Sequence, residues 1–184
     1  MKTSFARVAS GLALLMAGTM VAPAAFAQSV QIYKYDALGR VILASSTTGG
    51  EDGYSYDPAG NRSAVNKFSL HLPVTADRLV SGDGLPVLGI LTSPSGAYRL
   101  SMQSDGHLFV YVVSSGAGVW AGGAGTYQTA YVVMQSDGNL VMFDYKGASI
   151  WSSGTGGNPG ATAFMQDDGK FVIKNAAGTI IWTT

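Results

Sequence analysis

The sequence predicts an all-β protein whose larger part is one unit repeated three times. Three observations carry this expectation. Of 184 residues, 25 are glycine and only 12% are charged, against roughly 7% glycine and about 25% charge in an ordinary globular chain. Turns are therefore plentiful and charged helical faces are not. Asp-Gly, a hairpin dipeptide when it separates alternating apolar runs, does so in three related stretches: Met102 to Tyr111, Met134 to Phe143 and Met165 to Lys174. Trp120, Trp151 and Trp182 recur at intervals of 31, each four positions after a glycine (Gly116, Gly147 and Gly178). A count of three at a fixed period implies a pseudo-threefold unit.

Residues 1–27 read as a secretory leader. Lys2 and Arg7 precede an apolar run from Val8 to Ala22, followed by Pro23 and a small-residue site, Ala25-Phe26-Ala27. Gly11, Gly18 and Thr19 interrupt that run, which is shorter than the roughly 20 residues a membrane span needs. Cleavage after Ala27 would make Gln28 the first mature residue and place the protein outside the cytoplasm, extracellular or periplasmic, as in bacteria. The whole chain has 11 basic and 11 acidic side chains. Loss of Lys2 and Arg7 tips the mature protein to the acidic side, so it has no basic footprint for nucleic acid. Without cysteine there is no disulfide frame and no thiolate metal site.

Residues 28–68 form a segment with its own pattern. Tyr33-Lys34-Tyr35-Asp36-Ala37-Leu38-Gly39-Arg40 is echoed by Tyr54-Ser55-Tyr56-Asp57-Pro58-Ala59-Gly60-Asn61-Arg62, with Tyr35 and Tyr56 lying 21 residues apart. Each copy reads as a strand running into an Asp/Gly turn, and Val41, Ile42 and Leu43 supply an outgoing strand. The segment resembles the YD repeat of the RHS family, whose many copies wind into a β-sheet shell. Two copies cannot close a shell, since about three stacked units are needed to bury a core. A short β-hairpin annex or a remnant, docked on the following domain, is expected.

Residues 69–184 hold the three repeats. A two-residue loop at Asp105-Gly106 would mix polar and apolar side chains on both faces. A three-residue loop, Ser104 to Gly106, instead sets Gln103 opposite His107, Met102 opposite Leu108 and Leu100 opposite Val110. Leu100, Met102, Leu108 and Val110 then face inward, while Ser101, Gln103, His107, Phe109 and Tyr111 face outward. The same register sends Val132, Met134, Leu140 and Met142 inward in the second unit, with Gln135, Asn139, Val141 and Phe143 outward. In the third, Ala163, Met165, Phe171 and Ile173 go inward. The tryptophans, each ending an aliphatic strand, are expected to converge on the pseudo-axis as the central core; an exposed aromatic platform is the other reading.

The pattern Gln-x-Asp-x-Asn-x-Val-x-Tyr, in three imperfect copies with tryptophan and glycine punctuation, resembles the bulb-type mannose-binding lectin family. The stretches Asp77 to Gly82 and Ser95 to Leu100 resemble the first part of that domain. The resemblance implies a β-prism of three four-stranded sheets and a non-enzymatic site for mannose or mannose-containing glycans. Such a motif suits a pyranose: a carboxylate accepts from one hydroxyl, two amides each donate and accept, and Val offers an apolar patch. The second unit is the most complete, with Gln135, Asp137, Asn139 and Val141, and Phe143 in the Tyr place. The first has Gln103, Asp105 and Tyr111, but His107 replaces Asn and Phe109 replaces Val. The third has Gln166, Asp168 and Val172, while Lys170 and Lys174 replace Asn and Tyr with donor-only cations, leaving it inactive toward neutral mannose or retuned toward an acidic saccharide. The competing reading gives Gln and Asp a purely structural role in bracing turns.

No catalytic residues, metal site or cofactor are expected. His71 and His107, the only histidines, share no ligand-spaced cluster. Glycans are the expected partners, and the family implies that Thr179 to Thr184 could serve a homodimer by C-terminal strand exchange. Two other functions fit the same sequence: an interaction protein in which the YD segment binds a partner and the lectin fold is a scaffold, or a lectin-like bacteriocin, although such proteins usually carry two lectin domains in tandem.

Overall fold

The computed structural model describes residues 30–46, 50–73 and 76–184; the expected leader lies outside them. Every regular element among the described residues is a strand. The strands make four antiparallel four-stranded sheets, three of which enclose the main core while the fourth packs on their outside.

Each repeat contributes three consecutive strands to one sheet. The first gives β8 (Tyr98–Met102), β9 (His107–Val112) and β10 (Gly118–Gly123). The second gives β11 (Thr129–Met134), β12 (Leu140–Asp144) and β13 (Ser149–Ser152), and the third β14 (Thr162–Met165), β15 (Phe171–Lys174) and β16 (Ile180–Thr183). The register is the expected one: Leu100 pairs with Val110, Val132 with Met142, and Ala163 with Ile173. All the side chains expected inward lie in one buried cluster.

The fourth strand of each sheet comes from a short stretch upstream. β5 (Arg78–Leu79) joins the third repeat, β6 (Gly84–Pro86) the second and β7 (Ile90–Thr92) the first. Leu79, Leu85 and Leu91, spaced by six, pair with Ala163, Val132 and Leu100 and are essentially buried. Each thus gives one leucine to the common core. At about 1.5–3 kcal/mol per fully buried aliphatic side chain, these three anchors stabilise the prism out of proportion to their short strands.

The tryptophans depart in part from expectation. They do converge, with Trp182 edge-on to Trp120 at 5.9 Å and to Trp151 at 6.2 Å. All three remain only partly buried, however, and the centre is filled by leucines, methionines and Phe171. The cause is topological, because β10, β13 and β16 are the edge strands of their sheets. The C-terminal strand lies on β15 of its own chain, where Ile173 pairs with Trp182, so the third sheet is complete within one chain.

The N-terminal segment is more than a hairpin. Its strands β1 (Gln31–Tyr35), β2 (Val41–Ser46), β3 (Gly50–Tyr56) and β4 (Arg62–Ser69) form a single meander. Asp36 closes the first turn by accepting the Leu38 and Arg40 N–H groups on one carboxylate oxygen, and Asp57 likewise accepts from Asn61. One face of this sheet is buried against the second prism sheet. Ile32, Ile42 and Leu43 form a second apolar cluster with Val87, Ala130, Tyr131 and Tyr145, joined at its edge by Phe68 and Phe143.

Two charged residues enter that interface. Lys34, 1% exposed, donates from Nζ to the carbonyls of Tyr127 (2.9 Å) and Thr129 (2.7 Å), tying β1 to the prism backbone. Glu51, also 1% exposed, accepts from the Ser45 hydroxyl at 2.6 Å, while its second oxygen has no partner. Burial pushes the Glu51 carboxyl up to about 8, against the opposing effects of Ser45 and the Lys34 charge. Burial also lowers Lys34 to about 8, against the pull of Glu51 and Asp105. The stability contributed by neutral Glu51 is complete below its unfolded value of 4.5 and is lost as pH rises through about 8. That contributed by neutral Lys34 is complete above 10.5 and is lost as pH falls through about 8. Attachment of the sheet should therefore be weakest near pH 8, and Glu51→Gln should strengthen it at neutral and mildly alkaline pH. Hydrogen exchange of β1–β4 against pH measures both; protection that ignores pH in wild type and variant alike would refute the expectation.

Candidate functional site

The three Asp-Gly turns share one geometry. The N–H of Gln103, Gln135 and Gln166 donates to the carbonyl of His107, Asn139 and Lys170 at 2.8, 2.8 and 2.9 Å. In each turn one oxygen of the aspartate, Asp105, Asp137 or Asp168, accepts the N–H two residues on, at 3.1, 2.9 and 3.1 Å. Gly106, Gly138 and Gly169 supply φ values of 90, 90 and 82°, a conformation that glycine adopts without the Cβ penalty. Each aspartate therefore spends one oxygen on its own turn, as the turn-bracing reading expected, and keeps the other.

The second turn opens onto a shallow depression of about 480 Å³ lined by Gln135, Asn139, Val141, Phe143, Ser149, Trp151 and Ser152. Gln135 and Asn139 are half-buried, and Asp137, in the turn between them, is exposed. Asn139 is fixed from behind: its amide oxygen accepts from the Ser153 hydroxyl (3.1 Å) and the Thr155 N–H (3.2 Å). Thr155 in turn donates to the Gly138 carbonyl at 2.6 Å. Its oxygen thus committed, the Asn139 amide presents N–H donors, complementing the free oxygen of Asp137. Val141 is only 4% exposed, so it forms the floor of the depression and offers less apolar contact than the sequence suggested. Phe143 is turned toward the N-terminal sheet: its ring stacks on Tyr131 at 5.2 Å, and Tyr131 meets Phe68 at 5.0 Å.

The first turn is rearranged. The Asp105 carboxylate lies 3.2 Å from His107 Nδ1; burial opposes its ionisation, but the His107 N–H and ring outweigh this and hold it below the usual carboxylate range. Phe109 stacks on Tyr111 with centroids 6.3 Å apart and lies so close over Gly118 that a Cβ there would sit 2.7 Å from its ring. In the third turn Val172 is fully covered, Lys170 is exposed and Lys174 Nζ stands 5.3 Å from the Phe164 ring centre. Asp167 is held by the Ser95 N–H and hydroxyl and lies below its ordinary range for that reason.

All sequence-identified residues thus lie on the three turns and their outgoing strands. What that reading missed in the second site are Ser149, Trp151 and Ser152 in its wall and Ser153 and Thr155 behind it. Only Trp151 had a signal, its period, and that pointed to the core.

The architecture and these turns can be compared with known structures. No family model and no curated protein matches the sequence. Among solved structures, a lectin from Marasmius oreades aligns with TM-score 0.55 at 23% identity, covering 60% of this chain and 92% of that one. Monomeric monocot mannose-binding lectins from Gastrodia elata align with TM-score 0.50 at 31% identity, covering 58% and 94%. The prism is a bulb-type lectin domain. A mannose-specific lectin from Crocus vernus shares the fold, with TM-score 0.50 at 22% identity over 62% and 99% of the two chains. Each alignment takes in nearly all of the other chain and about three fifths of this one, so this protein carries additional chain beyond the lectin domain.

Proposed function

We propose that the protein is a secreted, non-enzymatic lectin that binds mannose or mannose-containing glycans through the second turn. The observation that carries this is the paired chemistry of the turn: Asp137 has an oxygen that can accept and the Asn139 amide can donate, while Gln135 can do either, and Gln135 and Asn139 line an open depression. Two adjacent sugar hydroxyls need that combination, one donating and one accepting. That the similar Gastrodia elata lectins are mannose-binding supports the choice of sugar. Phe143 removes one hydroxyl contact, so a single site should bind weakly, and avidity would come from multivalent glycans.

Asp137→Ala would remove both the ligand acceptor and the turn brace, whereas Asp137→Asn keeps an oxygen for the Asn139 N–H and alters only the outward group. Titration with methyl mannoside should show Asp137→Asn losing at least about tenfold in affinity, the loss of one charge-assisted hydrogen bond, with its melting temperature unchanged. Unaltered affinity would remove Asp137 from the site. N-terminal sequencing of the exported protein should begin at Gln28. An alternative reading, a partner-binding protein with the lectin domain as scaffold, would use the outer face of the N-terminal sheet, where Tyr33, Tyr35 and Val65 are exposed.

A further inference from the structure

We infer that the third turn is a site for an anionic saccharide, one carrying a carboxylate or a phosphate. This rests on the reading of the turns as sugar sites and assigns the third a different ligand class. Internal comparison of the repeats fixes the positions: Lys170 stands where the second repeat has Asn139, and Lys174 where it has Phe143. Lys170 immediately precedes β15 and Lys174 ends it, on either side of the fully buried Val172. A chain with 12% charge thus places two of its few cations at two ligand positions of one turn.

The charges around them leave these cations available. Asp77 is engaged by Arg78 through two bonds of 2.9 and 2.8 Å. Asp167 is turned away onto Ser95, at 2.8 and 2.6 Å. Asp168 commits one oxygen to the Lys170 N–H. Of the two aspartates of this turn, Asp168 alone keeps an oxygen off these partners, on the same hairpin as the two lysines. Lys174 sits over the Phe164 ring, which also carries the Arg78 guanidinium 5.0 Å from its centre, so the aromatic face holds positive charge on this side of the sheet. The arrangement can donate to an anion from the lysines while Asp168 and Gln166 take sugar hydroxyls, a division of labour that a neutral hexose does not use. The covered Val172 gives the sugar's apolar face nothing, so recognition here is polar.

The test is titration of the full mature protein with three probes: an oligogalacturonate, mannose 6-phosphate and neutral methyl mannoside. At low salt at least one anionic probe should bind, and its affinity should fall steeply as ionic strength rises from about 0.01 to about 1 M, where screening shortens from about 30 to about 3 Å. Which of the two binds identifies carboxylate or phosphate as the source. Lys170→Asn with Lys174→Gln should weaken the anionic probe by roughly tenfold, the worth of two partly exposed ion pairs, while leaving methyl mannoside binding and the melting temperature unchanged. Lys67→Asn, on the N-terminal sheet, should change neither. The inference is overturned if neither anion binds, or if the double variant binds it as wild type does or loses no more than Lys67→Asn, whatever methyl mannoside does. Lysine-dependent anion binding without mannoside binding would uphold this site and refute the proposed mannose site separately.

Discussion

Gly53→Ala is expected to release the N-terminal sheet from the lectin domain. Gly53 lies in β3 on the buried side of the sheet, opposite Leu43 and next to Glu51. A Cβ built there overlaps the Tyr145 carbonyl oxygen and falls 2.8 Å from its carbon. The obstacle is backbone at the end of β12, not a side chain that can swing aside. Relief requires the sheet to lift, and the contacts it would lose are unforgiving of distance. Lys34 holds two carbonyls at 2.9 and 2.7 Å, charge-assisted hydrogen bonds worth roughly 1.5–3 kcal/mol each. Leu43, fully buried against the prism, would be exposed with it. The sheet should then become protease-sensitive and lose exchange protection while the prism retains its own core. A variant that stays as protected as wild type from residue 30 to 69 would show that the interface can absorb the added methyl. Since Phe68, Tyr131 and Phe143 form one aromatic column from the sheet to the second site, release should also loosen Phe143.

Gly138→Ala should be strongly damaging to the lectin domain itself. Gly138 has φ of 90°, and its Cβ would overlap the carbonyl oxygen of Asn158. Gly178, at φ 81°, has nothing within 4 Å of its Cβ position. The pair separates two costs. Gly178→Ala incurs only the left-handed conformation, about 1–2 kcal/mol. Gly138→Ala adds overpacking of about 1–3 kcal/mol and disturbs the Thr155 bond to the Gly138 carbonyl. The expected total near 3 kcal/mol would lower Tm by about 2–4 °C for each kcal/mol in a chain of this size. It should also weaken sugar binding by displacing the groups behind Asn139. Equal melting temperatures for the two variants would mean that the Ser153 to Asn158 loop does not brace the turn.

The hairpins were legible because their information is local. Alternation across Asp-Gly fixed a three-residue loop and sorted Leu100, Met102, Leu108 and Val110 from Gln103, His107 and Tyr111, and the structure has that register in all three repeats. β5, β6 and β7 were not legible. Strands of two or three residues carry no period, and the one trace they left, leucines at 79, 85 and 91, resembles no element of its own. The candidate positions fall together on the turns, as their spacing implied, but their chemistry was only partly legible. Nothing near Asn139 in the sequence announces that its oxygen belongs to Ser153 and Thr155.

The threefold count, the inward and outward faces of each hairpin and the glycines that turn them were all legible along the chain, because period-two alternation and left-handed turns are properties of neighbouring residues. What those faces meet emerged from packing. It joined each repeat to a strand from the upstream stretch, kept the tryptophans on edge strands and seated the N-terminal sheet on the second repeat through Lys34, Gly53 and Leu43. The physical reason is that burial is written into a sequence as a pattern of apolar positions, while the partner that covers them, often 90 or more residues away as Thr129 is from Lys34, is selected only when the chain packs.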